Sequence, residues 1–318
     1  MDAATLDPEI ASFVKEMQRA WASHPPFMTL PLEEARAVAE KVRAPWRQGG
    51  PAMAETFERT IATDAGPLRI RVYDPGSGKP APALLYLHGG GFTLFSLDTH
   101  DRLMREYAAA GGFVVIGIDY PLSPEVRYPV ALDLTIGLID WLAAHGAEIG
   151  VDAGRLAIGG DSAGGNLSLA AAMRLRDRGA PDRLKGLLLN YAALGAPPSD
   201  EAEARHGGPG SVLDRAEMEY YFGNYIGEAG HTLDDPYARP IIGNFTHLPP
   251  AFLVIPECDI LSEQSFALRE RMALAGIDVT SEVYRGATHS FLEAMSVAEV
   301  ARRAIADGAA WVKARLDA

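Results

Sequence analysis

The chain has 318 residues, enough for one large α/β domain or two smaller ones, and its 48% apolar content is ordinary for a globular protein with a substantial core. With 29 basic against 42 acidic residues the formal charge is −13, which disfavours nucleic acid or an anionic membrane surface as a partner. A single cysteine, Cys258, excludes an intrachain disulfide, and no Cys/His cluster has zinc-ligand spacing, so no metal is expected.

The stretch from Met1 to Glu9 carries neither the basic nor the apolar region of a secretory signal. No uninterrupted apolar run reaches the roughly 18–20 residues that span a bilayer, so a soluble, cytoplasmic protein is expected. Ile10, Phe13, Val14, Met17 and Trp21 fall on one face of a helix over residues 8–22, and a second short helix is predicted over 32–42. Pro45 and Gly49-Gly50-Pro51 then punctuate the chain. Residues 1–50 thus read as a helical segment, and 51–318 as the domain that follows.

Alternating patterns predict strands over 56–63 and 68–73, joined at Asp64-Ala65-Gly66. Runs that are apolar almost throughout follow at 83–87, 113–118, 156–158, 187–189 and 252–255, with a weaker alternating one at 279–284. Uninterrupted apolar runs suit strands buried on both faces of a parallel sheet. Helices are predicted between them, over 101–110, 130–145, 163–177 and 262–275, with a last one over 297–316. A glycine past the helix end (Gly111-Gly112, Gly146, Gly179, Gly276) is the expected stop. Such alternation implies a doubly wound parallel sheet. One interval breaks the rhythm. Residues 194–248 hold Pro197-Pro198, Gly207-Gly208-Pro209-Gly210, Asp234-Asp235-Pro236 and an aromatic helix with Tyr220, Tyr221, Phe222 and Tyr225, and so read as a lid-like insertion. With the N-terminal helices it could cap the C-terminal edge of the sheet.

Gly160-Asp161-Ser162-Ala163-Gly164 stands between a strand and a helix, where a turn tight enough to expose a serine needs small residues on either side. The bland alternative is a Gly-rich turn that packs closely or cradles phosphate. His88-Gly89-Gly90-Gly91-Phe92 ends the 83–87 strand, and its unencumbered backbone N–H groups can converge on an anion. Gly90, Gly91 and Ala163 are assigned to that oxyanion hole. Gly89 belongs to the same loop, and His88 is read as orienting it by hydrogen bonding.

A serine hydroxyl needs a positioned base and a carboxylate that fixes the base's tautomer. Of eight histidines only His289 lies beyond the last predicted strand. His231 and His247 fall in the insertion and read as ordinary surface or pocket residues. Pro256-Glu257-Cys258-Asp259 offers two acids, of which Asp259 is preferred because it lies further into the loop, and Cys258 reads as a buried apolar filler.

These motifs resemble those of the hormone-sensitive-lipase-like esterases, the bacterial branch that includes acetyl esterases. The resemblance rests on His88-Gly-Gly-Gly-Phe92, Gly160-Asp-Ser-Ala-Gly-Gly165, Asp119-Tyr-Pro-Leu-Ser-Pro-Glu125 and Tyr128-Pro-Val-Ala131, and the stretch from Ser96 to Arg105 looks most like the acetyl esterases. It covers about residues 55–315, and Ser290 departs from it where many relatives have glycine. It implies an α/β-hydrolase fold: a doubly wound, mostly parallel, eight-stranded sheet with a helical cap. It further implies a Ser162–His289–Asp259 triad that hydrolyses short-chain acyl esters without a cofactor, with a homodimer through the last strand or helix as a further possibility. Amides, lactones or an acetylated metabolite remain alternative substrates. A non-catalytic binding protein of the same fold would be marked by loss of the histidine, which is present here.

Overall fold

The computed structural model describes residues 5–208, 211–227 and 233–318, so Pro209, Gly210 and His231 lie outside the described residues. The predicted hairpin is β1 (Glu55–Thr63) and β2 (Gly66–Asp74), antiparallel from Glu55 opposite Asp74 to Thr63 opposite Gly66. Six further strands follow: β3 (Ala81–Leu87), β4 (Val114–Asp119), β5 (Val151–Asp161), β6 (Leu187–Asn190), β7 (Ala251–Cys258) and β8 (Val279–Thr288). Together they form one eight-stranded sheet in the order β1-β2-β4-β3-β5-β6-β7-β8. β2 meets β4 antiparallel, and every pairing from β4 through β8 is parallel.

The unbroken apolar runs have a direct cause. In β7, Ala251, Leu253 and Ile255 enter one core while Phe252 and Val254 enter the other, and β3 divides Leu85 and Leu87 from Leu84 and Tyr86 in the same way. Each buried Leu or Val contributes roughly 1.5–3 kcal/mol of transfer free energy, so both faces must be covered. Helices α4 (Val130–His145), α5 (Ala163–Asp177) and α8 (Ser262–Leu274) cover the first face. α3 (Asp101–Gly111) and α9 (Glu299–Leu316) cover the second, joined there by the N-terminal α1 (Pro8–Ala22) and α2 (Leu32–Arg43). Asp7 caps α1 by accepting from the Glu9 and Ile10 amides, and its own N–H reaches Gly286 O at 3.0 Å, which ties the start of α1 to β8.

Two expectations need adjusting. β5 begins at Val151, five residues ahead of the predicted run, because its first turn of chain is polar: Asp152 pairs with Arg155 at 2.7 Å, a pattern that an apolar-run criterion passes over. α4 ends at His145 with Gly146 just past it, as expected. That glycine stays right-handed, at φ −52°, and the chain continues as a tight turn to Gly150 at φ +74°. The last helix, predicted from 297, starts two residues later at Glu299, after a short 3-10 turn, Phe291–Ser296. Among the described residues one helical stretch, Val130–Ile149, is long and apolar enough to cross a membrane, with mean hydropathy 1.3. Leu132, Leu138, Ile139 and Leu142 within it are fully buried against the sheet, as expected of a core helix.

The 194–248 interval contains α6 (Asp200–His206) and α7 (Arg215–Ile226). A reciprocal capping box starts α7: the Asp214 side chain accepts from Glu217 N, and the Glu217 side chain accepts from Asp214 N.

Candidate active site

β5 ends at Asp161 and α5 begins at Ala163, so Ser162 alone makes the turn. Its backbone lies at φ 52°, ψ −114°, a conformation that costs a non-glycine residue about 1–3 kcal/mol. The surroundings impose it. Ser162 N–H donates to Asn190 O at 2.9 Å, and its carbonyl accepts from Asn166 at 3.2 Å and Ala193 at 3.0 Å. A Cβ on Gly160 or Gly164 would run into the Leu87 carbonyl oxygen, so these two glycines are what allow β3 to pass so close to the turn.

His289 follows directly on β8, which runs on to Thr288, and Asp259 follows on β7. His289 Nε2 lies 3.0 Å from Ser162 Oγ, and its Nδ1 lies 2.8 Å from Asp259 Oδ2. The second Asp259 oxygen accepts from Leu261 N at 3.0 Å, and the carboxyl side chain is sealed from solvent. Such a chain can move a proton off the serine while the carboxylate holds the imidazole in the tautomer that accepts it. Glu257, the other acid of the same loop, is turned elsewhere and accepts from Gly286 N at 2.9 Å. Cys258 is buried, and burial, followed by the charges of Glu257 and Asp259, pushes its thiol up to about 11, so it stays protonated. His247 is an exposed residue.

The glycine loop divides its amides between two tasks. Gly89 N–H is held by Asp161 Oδ1 at 3.1 Å, which removes it from any oxyanion hole. Gly90 and Gly91, at φ +112° and +59°, line the cavity above Ser162, and a side chain on Gly91 would collide with the Tyr221 ring. Ala163 opens α5, whose N-terminal amides favour negative charge. His88 is fully buried. Its Nδ1 contacts Gly89 O at 2.7 Å, Tyr120 donates to its carbonyl at 2.7 Å, and burial with the neighbouring His100 holds its pKa down to about 3. It is a neutral brace for the loop.

Above Ser162 lies a cavity of about 440 Å³, walled by Val14, Met17 and Trp21 of α1, by Phe27, and by Glu217, Met218 and Tyr221 of α7. Tyr221 stacks on Phe27, with ring centroids 5.9 Å apart, so the N-terminal segment and the insertion meet over the serine. Burial, with Asp214 adding, pushes the Glu217 carboxyl up to about 7. Sequence reasoning singled out neither Glu217 nor Asp161. The capping-box spacing Asp214-x-x-Glu217 was a visible signal for the first, and for the second the position just before Ser162. Among the described residues no group of three or more His, Cys, Asp or Glu is placed to hold a metal ion.

A family model described as α/β hydrolase fold matches residues 84–293. An ethyl acetate hydrolase of Pseudomonas putida is 33% identical over 308 residues, 93% of this chain and 95% of the relative. An acetyl esterase of Salmonella choleraesuis is 34% identical over 274 residues, 85% of this chain and 83% of its own. Among solved structures, the hyperthermophilic esterase of the archaeon Pyrobaculum calidifontis superposes with TM-score 0.90 at 31% identity over 98% of both chains. An ester hydrolase from the metagenome of Lake Arreo, complexed with a derivative of bipyridine phosphonate, gives 0.91 at 31% identity over 99% of this chain and 100% of its own. The chain therefore belongs to the α/β-hydrolase family, in its hormone-sensitive-lipase-like branch.

Proposed function

We propose that this carboxylic ester hydrolase cleaves short-chain, acetyl-like acyl esters through an acyl-enzyme on Ser162. The observation that carries the reading is the unbroken hydrogen-bond chain Ser162–His289–Asp259, 3.0 and 2.8 Å long, at the base of a mostly apolar cavity. His289 Nε2 takes the serine proton as Oγ attacks the ester carbonyl carbon. The amides of Gly90, Gly91 and Ala163 receive the developing oxyanion, a contribution worth about 3–4 kcal/mol per donor in comparable sites. His289 then returns the proton to the leaving alcohol, and water, activated in the same way, releases the acid. Asp259 stays ionised throughout.

The names of the relatives, ethyl acetate hydrolase and acetyl esterase, support a short acyl group. The cavity exceeds an acetyl group in size, and the remaining space suits the alcohol portion. In this reading α1, α2 and the 194–248 insertion act as a cap that excludes bulk water. Initial rates on p-nitrophenyl esters from acetate to dodecanoate, wild type beside Ser162→Ala, test it. Highest rates at the short end, abolished in the variant, support the proposal. Folded wild type that turns over none of these esters would sink it.

A further inference from the structure

Asp161, directly before the nucleophile, is a carboxylate only 3% exposed, and the reaction just described leaves it without a part. Its Oδ1 accepts from Tyr86 OH at 3.0 Å and Gly89 N at 3.1 Å, and its Oδ2 faces His100 Nε2 at 3.3 Å. The same Nε2 stands 3.4 Å from Glu293 Oε1, and Glu293 Oε2 stands 3.4 Å from Arg43 Nη1. All four side chains are buried. Four separate elements meet here. Arg43 ends α2, His100 precedes α3, Asp161 ends β5, and Glu293 sits in the 3-10 turn that follows His289.

The hydrogen-bond pattern around His100 sets its charge. Thr99 Oγ1 donates its one proton to Ser96 O at 2.8 Å, so towards His100 Nδ1, 2.9 Å away, it can only accept. Nδ1 therefore carries a hydrogen. Nε2 faces two carboxylate oxygens, which also only accept, so it carries one as well. A ring protonated on both nitrogens is the imidazolium. Two cations then balance two carboxylates, the arrangement that a sealed charge cluster requires. Burial works against the cation, but Asp161 and then Glu293 outweigh burial and the opposing Arg43, and the His100 pKa stands above the ordinary histidine value. His88, a further titratable neighbour at 5.4 Å between ring centroids, is neutral, and burial holds the Tyr86 and Tyr191 hydroxyls beside the cluster in their protonated form.

We propose that His100, as a buried imidazolium, is a positioning residue for ester cleavage: by bridging Asp161 and Glu293 it sets the serine turn, the glycine loop and the His289 turn relative to one another. This rests on the ester-hydrolase reading of Ser162. Held by His100, Asp161 retains the Gly89 amide and so aims the next two amides at the serine. Once the ring loses its second proton, the two carboxylates are balanced by Arg43 alone, the cluster carries an uncompensated negative charge, and the bridge is weakened. A raised pKa makes the bridge fully present below the ordinary histidine value, and it is lost as pH rises through the folded value above it. His100 governs the alkaline limb of the rate profile.

Two measurements on the full chain test this. In protein labelled with nitrogen-15 at histidine, the His100 ring, assigned by its absence in His100→Gln, should show two protonated nitrogens at neutral pH. A neutral ring overturns the proposal. In kinetics on p-nitrophenyl acetate, His100→Gln should lower kcat roughly tenfold to a hundredfold with KM little changed, and should flatten the alkaline limb. Glu293→Gln, which removes one of the two carboxylates, should move that limb to lower pH. Folded Glu293→Gln with an unmoved limb overturns the proposal even if His100→Gln cannot be folded. Wild type inactive on every ester would instead bring down the parent reading, and this one with it.

Discussion

Replacing Asp259 with asparagine tests the core of the site with little change in shape. The native carboxylate accepts from Leu261 N at 3.0 Å through one oxygen and meets His289 Nδ1 at 2.8 Å through the other. An asparagine that keeps its single oxygen on the Leu261 amide avoids leaving that buried N–H unpaired. Its NH2 group then points at His289 Nδ1, which can satisfy it only by giving up its hydrogen. The imidazole is forced into the Nε2–H tautomer, and the nitrogen 3.0 Å from Ser162 Oγ can no longer accept the serine proton. A wrong tautomer of this kind costs about four orders of magnitude in kcat. At about 1.36 kcal/mol per decade that is about 5.4 kcal/mol of lost transition-state stabilisation. Stability should fall by only about 1–2 kcal/mol, since packing and the Leu261 bond persist. The assay is kcat and KM on p-nitrophenyl acetate, with thermal melting followed by circular dichroism. An Asp259→Asn protein that melts near wild type and retains kcat within about tenfold would refute the assignment of Asp259.

Other expectations follow from the same geometry. Gly164→Ala drives a methyl group into the Leu87 carbonyl and its neighbours, so it should cost about 1–3 kcal/mol in denaturant unfolding and reduce activity on all esters alike; a variant as stable and active as wild type would contradict the close approach. Tyr221→Ala removes the ring that stands against Gly91 and Phe27, so the ratio of kcat/KM for hexanoate over acetate should rise; an unchanged ratio would place the acyl group elsewhere. Glu217 has a folded pKa of about 7, raised from the ordinary glutamate range. Its contribution to stability is therefore complete in acid and is lost as pH rises through about 7. Glu217→Gln keeps the capping box while removing the charge, so its melting temperature should exceed that of wild type at alkaline pH and converge with it in acid; parallel curves would refute the assignment.

Local pattern made most of the fold legible. Residues 252–255 could be read as a two-sided strand because each face of β7 has its own core, and the alternation of 279–284 was weaker because β8 is the last strand of the sheet. Where polarity entered a strand, as at Asp152 to Arg155, the apolar-run criterion lost its start. The serine turn, the glycine loop and the histidine loop were legible for a related reason. Their demands on backbone are made within five or six residues, and glycine at 160, 164 and 91 answers steric conflicts that no residue with a Cβ would tolerate.

By itself the sequence determined the strand–helix alternation, the order serine, acid, histidine, and the presence of a long aromatic insertion, because each is written in residues close along the chain. The tertiary structure decided the rest. It turned Asp259 to His289 and Glu257 to the Gly286 amide, although the two acids are neighbours in one loop. It placed Tyr221 of the insertion on Phe27 of the N-terminal segment. It joined His100 to an aspartate 61 residues away and enclosed both among Glu293 and Arg43. Such partners are set by how helices and strand ends pack in three dimensions, and the strength of a charge pair there depends on burial and on the hydrogen bonds around it.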